Sequence, residues 1–214
     1  MDHERLTRSV VRNHGILLPA LLDDLGVTPR QRQRRVATGE WRRLPGGVLT
    51  VAAVPITFDM QVHAALVAIP AAVLSHQTSA RVLEMGVSDH RIHLSVERGG
   101  RTRLPGVVIH QVDLPRCDVT VRRGLRVTTR ERTLVDLAAV IGVDELQRCV
   151  DDQLVAGRTT LPRLHATFGR LGGQGRPGTA RMRAVLEQLD REPPTESELE
   201  AMGRSRARSP RSAA

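Results

Sequence analysis

The stretch 17–38 constrains this chain most. Leu18, Leu21, Leu22 and Leu25 recur at helical spacing, and Gly26 follows where a left-handed C-cap belongs. Two residues later Thr28 occupies an N-cap position and Pro29 the first helical position, so a new helix is predicted to begin almost at once. Helix 17–25 (Pro19 is tolerated in its first turn) and helix 29–38 are thus joined by a turn of about three residues, the helix-turn-helix spacing. A further helix over 4–13 is predicted upstream, with Leu6, Val10 and Val11 on one side and Gly15 as its stop.

The second of the paired helices reads Arg30, Gln31, Arg32, Gln33, Arg34, Arg35 before Val36 and Ala37. Arginine bonds guanine bidentately and glutamine does the same for adenine. A helix N-terminus also faces phosphate favourably through its free N–H groups. A solvated helix face has the same composition, but the next element favours DNA. Trp41-Arg42-Arg43-Leu44, Pro45-Gly46-Gly47 and Val48-Leu49-Thr50-Val51 alternate about a turn as a β-hairpin. A hairpin in that place is a wing, with Trp41 as the anchor between wing and helix. The expected DNA-contacting set is therefore Thr28, Arg30, Gln31, Arg34, Arg35, Arg42 and Arg43. Arg30, Gln31 and Arg34 are expected in the major groove, Arg35, Arg42 and Arg43 on phosphates, and Thr28 at the helix N-terminus.

Charge supports that partner. The net charge is +9, and all 32 basic residues are arginine. Such a protein attracts polyanions, of which nucleic acid is the usual one. Residues 1–50 hold nine Arg against five acids and residues 91–132 ten against four, yet only the first stretch has a recognisable helical framework. Aromatics are confined to Trp41, Phe58 and Phe168, which argues against a stacking platform for single strands. Cys117 and Cys149 are too few for a disulfide framework or a zinc site. No apolar run approaches the roughly 20 residues of a membrane span, and no secretory leader is recognisable. A cytoplasmic protein with no membrane partner is expected.

The run Gly39-Glu40-Trp41-Arg42-Arg43-Leu44, closed by Gly47-Val48-Leu49, resembles the wing of the AbiEi-type antitoxin N-terminal domain. Leu74-Ser75-His76-Gln77-Thr78-Ser79-Ala80 and Thr128-Thr129-Arg130-Glu131-Arg132-Thr133-Leu134-Val135-Asp136-Leu137-Ala138 are similar to the middle region of actinobacterial proteins carrying that domain. The resemblance spans about residues 5–170. It implies a DNA-binding repressor of its own operon, an antitoxin of a type IV toxin–antitoxin system. The alternatives are a protein-interaction module neutralising a nucleotidyltransferase toxin and an inactive truncated endonuclease.

The middle of the chain is expected to be α+β, with strands grouped centrally and helices to either side. Helices are predicted over 58–69, from Ser75 as cap to Gly86, over 134–141 with Thr129 or Thr133 as cap, and over 143–155 and 161–168. Strands are predicted over 91–97, 107–112, 119–121 and 125–128, with a polar turn at 98–105. Several sites are considered and declined. His90, His93 and His110 would need a hairpin to meet around a metal, and residues three apart on a strand face opposite ways. Ser75-His76 reads as a helix cap rather than a nucleophile and base. Asp144, Glu145, Asp151 and Asp152 read as a solvated helix face. No catalytic residue, cofactor or metal is expected.

Gly172-Gly173-Gln174-Gly175 reads as a linker before a helix over 180–189, with Met182, Val185, Leu186 and Leu189 on one stripe. A fresh capping box, Ser197 with Glu200, follows Pro193-Pro194. This stretch resembles the linker and first helix of a Vsr-like endonuclease domain of PD-(D/E)XK type, with Glu198 or Glu200 matching its first glutamate. The acidic ligands such hydrolysis needs do not follow, so no nuclease activity is expected. The organisation read from sequence is therefore a winged helix-turn-helix (1–52), an α+β domain with a small central sheet (53–172), a linker with a nuclease-like remnant (173–202) and a disordered basic tail (203–214). A homodimer would suit a palindromic operator.

Overall fold

The computed structural model describes residues 10, 13–87, 89, 91–99, 103–173 and 175–191. The architecture is α+β: among the described residues there are eight α-helices and two sheets, of three and five strands. The helix expected at 4–13 falls almost wholly outside the described residues, as do His90, the Ser197–Glu200 box and the tail. No described helix is long and apolar enough to cross a membrane. The chain divides into two compact units, Met1–Val73 with His90–Leu114, and Leu74–Asp89 with Pro115–Ala214.

The first unit opens with β1 (Ile16–Leu17), α1 (Pro19–Asp24), α2 (Pro29–Ala37), β2 (Trp41–Arg43), β3 (Leu49–Val51) and α3 (Phe58–Ala68). Helix α1 starts later than its leucine periodicity suggests. The residue before a proline is pushed out of the α region, and Leu18 is extended (ψ 134°). Ile16 and Leu17 are thereby free to pair antiparallel with Thr50 and Leu49. Gly26 (φ 66°) ends α1 in a Schellman turn: its N–H donates to the Asp23 carbonyl and the Val27 N–H to that of Leu22. Helix α2 then begins on a capping box, Gln31 N–H to Thr28 Oγ1 at 3.3 Å and Thr28 N–H to Gln31 Oε1 at 2.8 Å.

The wing forms. Trp41, Arg42 and Arg43 of β2 face Val51, Thr50 and Leu49 of β3, and β3 is the middle strand of the sheet. Trp41 is buried with Leu17, Leu22, Val27 and Leu49 between sheet and helices. The outer ends of the hairpin pack elsewhere: Leu44 and Val48 join Ile16 with Met60 and Ala64 of α3. A Cβ added at Gly46 would lie 2.3 Å from that of Ala68, so the hairpin turn is seated on α3. The boundary expected at residue 52 is therefore bridged by an apolar core, and α3 belongs to the winged-helix unit.

Strands β4 (Val73–Leu74), β5 (Ile92–Val96) and β6 (Val107–Gln111) and helix α4 (His76–Val82) follow. Within the first unit β5 and β6 run parallel, from Ile92 opposite Val107 to Val96 opposite Gln111. Parallel pairing rules out a two-stranded hairpin of β5 and β6.

In the second unit β4 contributes Leu74, parallel to Val127 of β8 (Leu125–Thr128), and β7 (Val119–Arg122) pairs antiparallel with β8. Arg123 (φ 51°) and Gly124 (φ 76°) close that hairpin in two residues, as type I′ turns require. Helices α5 (Arg130–Leu137), α6 (Val143–Val155), α7 (Leu161–Leu171) and α8 (Thr179–Arg191) complete it. Of the two threonines considered, Thr129 caps α5, while Thr133 is buried against the hydroxyls of Ser79 and Thr128 at 3.0 and 2.7 Å.

Helix α8 is part of this core, not a segment set apart from it. Met182, Val185, Leu186 and Leu189 are buried, Arg176 pairs with Asp136 at 2.6 Å, and Arg181 Nη1 donates to the Ala138 carbonyl at 2.8 Å. Gly178 (φ 84°) lets the chain pass so closely that a Cβ there would stand 2.4 Å from the backbone of Ala138 and Ala139. Gly178→Ala combines a left-handed backbone with a clash against main chain. The expected loss is about 2 kcal/mol or more, read as a lowered urea midpoint in far-UV circular dichroism.

Candidate nucleic-acid interface

Each residue of an α-helix turns the direction of its side chain by about 100°. In α2 that sends Arg30, Gln33, Arg34 and Ala37 to one side and Arg32, Arg35 and Val36 to the other. Burial follows the wheel: the first four are exposed and the last three half-buried. Two of the helix's four guanidiniums are thereby committed to the protein. Arg32 Nε donates to the Val27 carbonyl at 2.9 Å and its terminal nitrogen pairs with Asp23, leaving 19% of the side chain exposed. Arg35 pairs with Glu40 at 2.5 Å, and its guanidinium carbon lies 5.1 Å from the centre of the Trp41 ring, within cation–π range. The Thr38 hydroxyl donates to the other Glu40 oxygen at 3.0 Å, which orients that carboxylate.

Strand alternation sorts the wing arginines the same way. Arg42 points opposite to Trp41, is half-buried, and donates to the Val54 carbonyl. Arg43 shares the Trp41 side of β2 and is exposed. With Pro29, Arg32 and Gln33 it lines an open groove of about 410 Å³ between the start of α2 and the wing.

The seven expected contact residues therefore separate. Arg30, Arg34 and Arg43 present open guanidiniums. Thr28 and Gln31 are engaged with each other at the helix start, and Arg35 and Arg42 are turned onto protein partners. Gln33, absent from the expected set, stands on the open face. The helical period that separates residues 30, 33, 34 and 37 from the rest could have found it.

The declined sites take definite forms. His93 and His110 are diagonal neighbours on the parallel pair β5–β6, with His93 Nδ1 and His110 Nε2 3.1 Å apart and rings 16° from parallel. Burial, and then His93, pushes the His110 imidazole down to about 4. Ser75 stands at the N-cap position of α4, but its hydroxyl makes no capping bond; its Oγ meets His76 Nδ1 at 3.0 Å, and His76 adopts φ 50°. Burial, followed by Asp152 and Glu145, pushes the Cys149 thiol up to about 12, which disfavours thiolate chemistry there.

No family model and no curated protein matches this chain. Among solved structures it is similar to the crystal structure of the RV2827C protein from Mycobacterium tuberculosis. The two agree with a TM-score of 0.59 at 19% identity, over 86% of this chain and 75% of that one, a likeness of fold.

Proposed function

We propose that this chain is a DNA-binding transcriptional regulator, with α2 lodged in the major groove of duplex DNA and Arg43 of the wing on the flanking backbone. One observation carries the reading: on the second helix of a helix-turn-helix, Arg30 and Arg34 project from one exposed face while the wing holds an open Arg43 beside it. Two guanidiniums a turn apart suit guanine edges, and a third across a groove suits a phosphate. The resemblance of residues 39–49, 74–80 and 128–138 to AbiEi-type proteins makes autorepression of a toxin–antitoxin operon the specific form of the proposal, with binding as a homodimer to a palindrome. The mechanism contains no catalytic step.

Binding of fluorescent duplexes across a salt series tests it. Arg43→Ala is expected to weaken all sequences alike and to lower the salt slope by about one. Arg30→Ala is expected to relax discrimination at one base pair by about 1–3 kcal/mol. Arg35→Ala and Arg42→Ala, whose side chains are engaged within the protein, should leave the salt slope nearly unchanged. Binding indifferent to salt and to both of the first two changes would sink the proposal.

A further inference from the structure

We infer that Gln33, and not Gln31, is the adenine-reading residue of α2, so the preferred duplex carries an A·T pair beside a guanine taken by Arg30 or Arg34. The inference rests on the DNA-binding reading above and specifies what its helix reads. Bidentate recognition of adenine needs a glutamine whose amide donates to N7 while its carbonyl accepts from the N6 amino group. Both ends of the carboxamide must therefore be free to face the base together.

Gln31 fails that requirement. Its Oε1 accepts the Thr28 N–H at 2.8 Å, and this bond folds the side chain back over the first turn, away from the groove. Withdrawing it to reach a base would leave the Thr28 N–H without its partner and break the capping box.

Gln33 meets the requirement. It is exposed, it shares the face of Arg30 and Arg34, and among the described residues its carboxamide has no hydrogen-bonding partner. It also lines the open groove that Arg43 lines from the wing. A phosphate held by Arg43 would fix the depth of the helix against the duplex and so the distance from Gln33 to a base edge.

The test uses the intact chain. Wild type, Gln31→Ala and Gln33→Ala are each put through selection from randomised duplexes. Each is then titrated against the selected duplex and against one with the selected A·T pair replaced by G·C. Urea unfolding is followed in parallel by Trp41 fluorescence. Wild type is expected to enrich an A·T pair next to a guanine. Gln33→Ala is expected to lose that discrimination by roughly tenfold or more with its unfolding midpoint unchanged. Gln31→Ala should keep the discrimination and unfold at lower urea. Loss of discrimination in Gln31→Ala and its survival in Gln33→Ala would overturn the inference. Salt-dependent binding of wild type with no A·T pair enriched also overturns it, while leaving DNA binding intact. Failure of wild type to bind any duplex sinks both readings together.

Discussion

Arg132→Ala is expected to destabilise the second unit by about 3–5 kcal/mol, the range for removing one partner of a buried ion pair. Arg132 is fully buried on α5. Its Nε donates to both carboxylate oxygens of Asp136 at 3.0 Å, and its Nη1 to Asp118 Oδ2 at 2.8 Å. The acids are in turn held from outside, Asp118 by Arg170 and Asp136 by Arg176. The arrangement alternates in charge, so every member shields its neighbours. Burial alone would raise the Asp118 carboxyl, yet hydrogen bonds from Arg170 and Arg132 hold it below its usual range. Deleting the central guanidinium removes one charge partner from each of two buried carboxylates at once, leaving Asp118 with Arg170 and Asp136 with Arg176. The second unit contains neither Trp nor Tyr, so the loss is read from urea unfolding by far-UV circular dichroism. A loss below about 1 kcal/mol, the level of an exposed pair, would show that the network does not anchor the fold.

The first unit is expected to weaken as pH falls from about 6.5 to about 4. His110 has its imidazole pushed down from 6.5 to about 4 by burial and by His93. Over that window the unfolded chain binds a proton at this site that the folded chain refuses, so protonation favours unfolding. At neutral pH and above His110 is uncharged in the folded and the unfolded chain alike, and that stability is fully present. A shift of this size is worth at most about 3 kcal/mol. Trp41, the single tryptophan, sits in the core of the same unit and reports its unfolding directly. The urea midpoint followed by its fluorescence should drop between about pH 7.5 and about pH 4.5, and the drop should shrink in His110→Asn. A midpoint equally pH-dependent in that variant would assign the effect to other groups.

Local chemistry made much of the fold readable in advance. Gly26, Thr28 and Pro29 set the turn between α1 and α2 within three residues of chain, because capping bonds and φ restrictions act over that distance. The apolar period of 143–155 marked α6 with both of its ends, and Thr129 could be offered as a cap from its position alone. Parallel pairing of β5 with β6 was not readable, because alternation along a strand says nothing about the direction of its neighbour. The ion network around Arg132 was equally hidden, since Asp118 and Arg170 are 52 residues apart and a charge in a helical run looks the same whether it is solvated or buried. Helix α8 looked separable because a glycine-rich stretch precedes it, yet Gly178 serves to bring it close against Ala138.

By itself, the sequence determined that a helix rich in arginine and glutamine follows a tight turn and precedes a hairpin, because caps, prolines and alternation are properties of neighbouring residues. Only the tertiary structure decided which of those side chains are available to a ligand. Arg32, Arg35 and Arg42 are engaged by Asp23, Glu40 and the Val54 carbonyl, whereas Arg30, Gln33, Arg34 and Arg43 remain exposed. A guanidinium turned toward the body finds acceptors there and is held by them, while one turned outward finds only water, and that direction is fixed when the helix and strand dock.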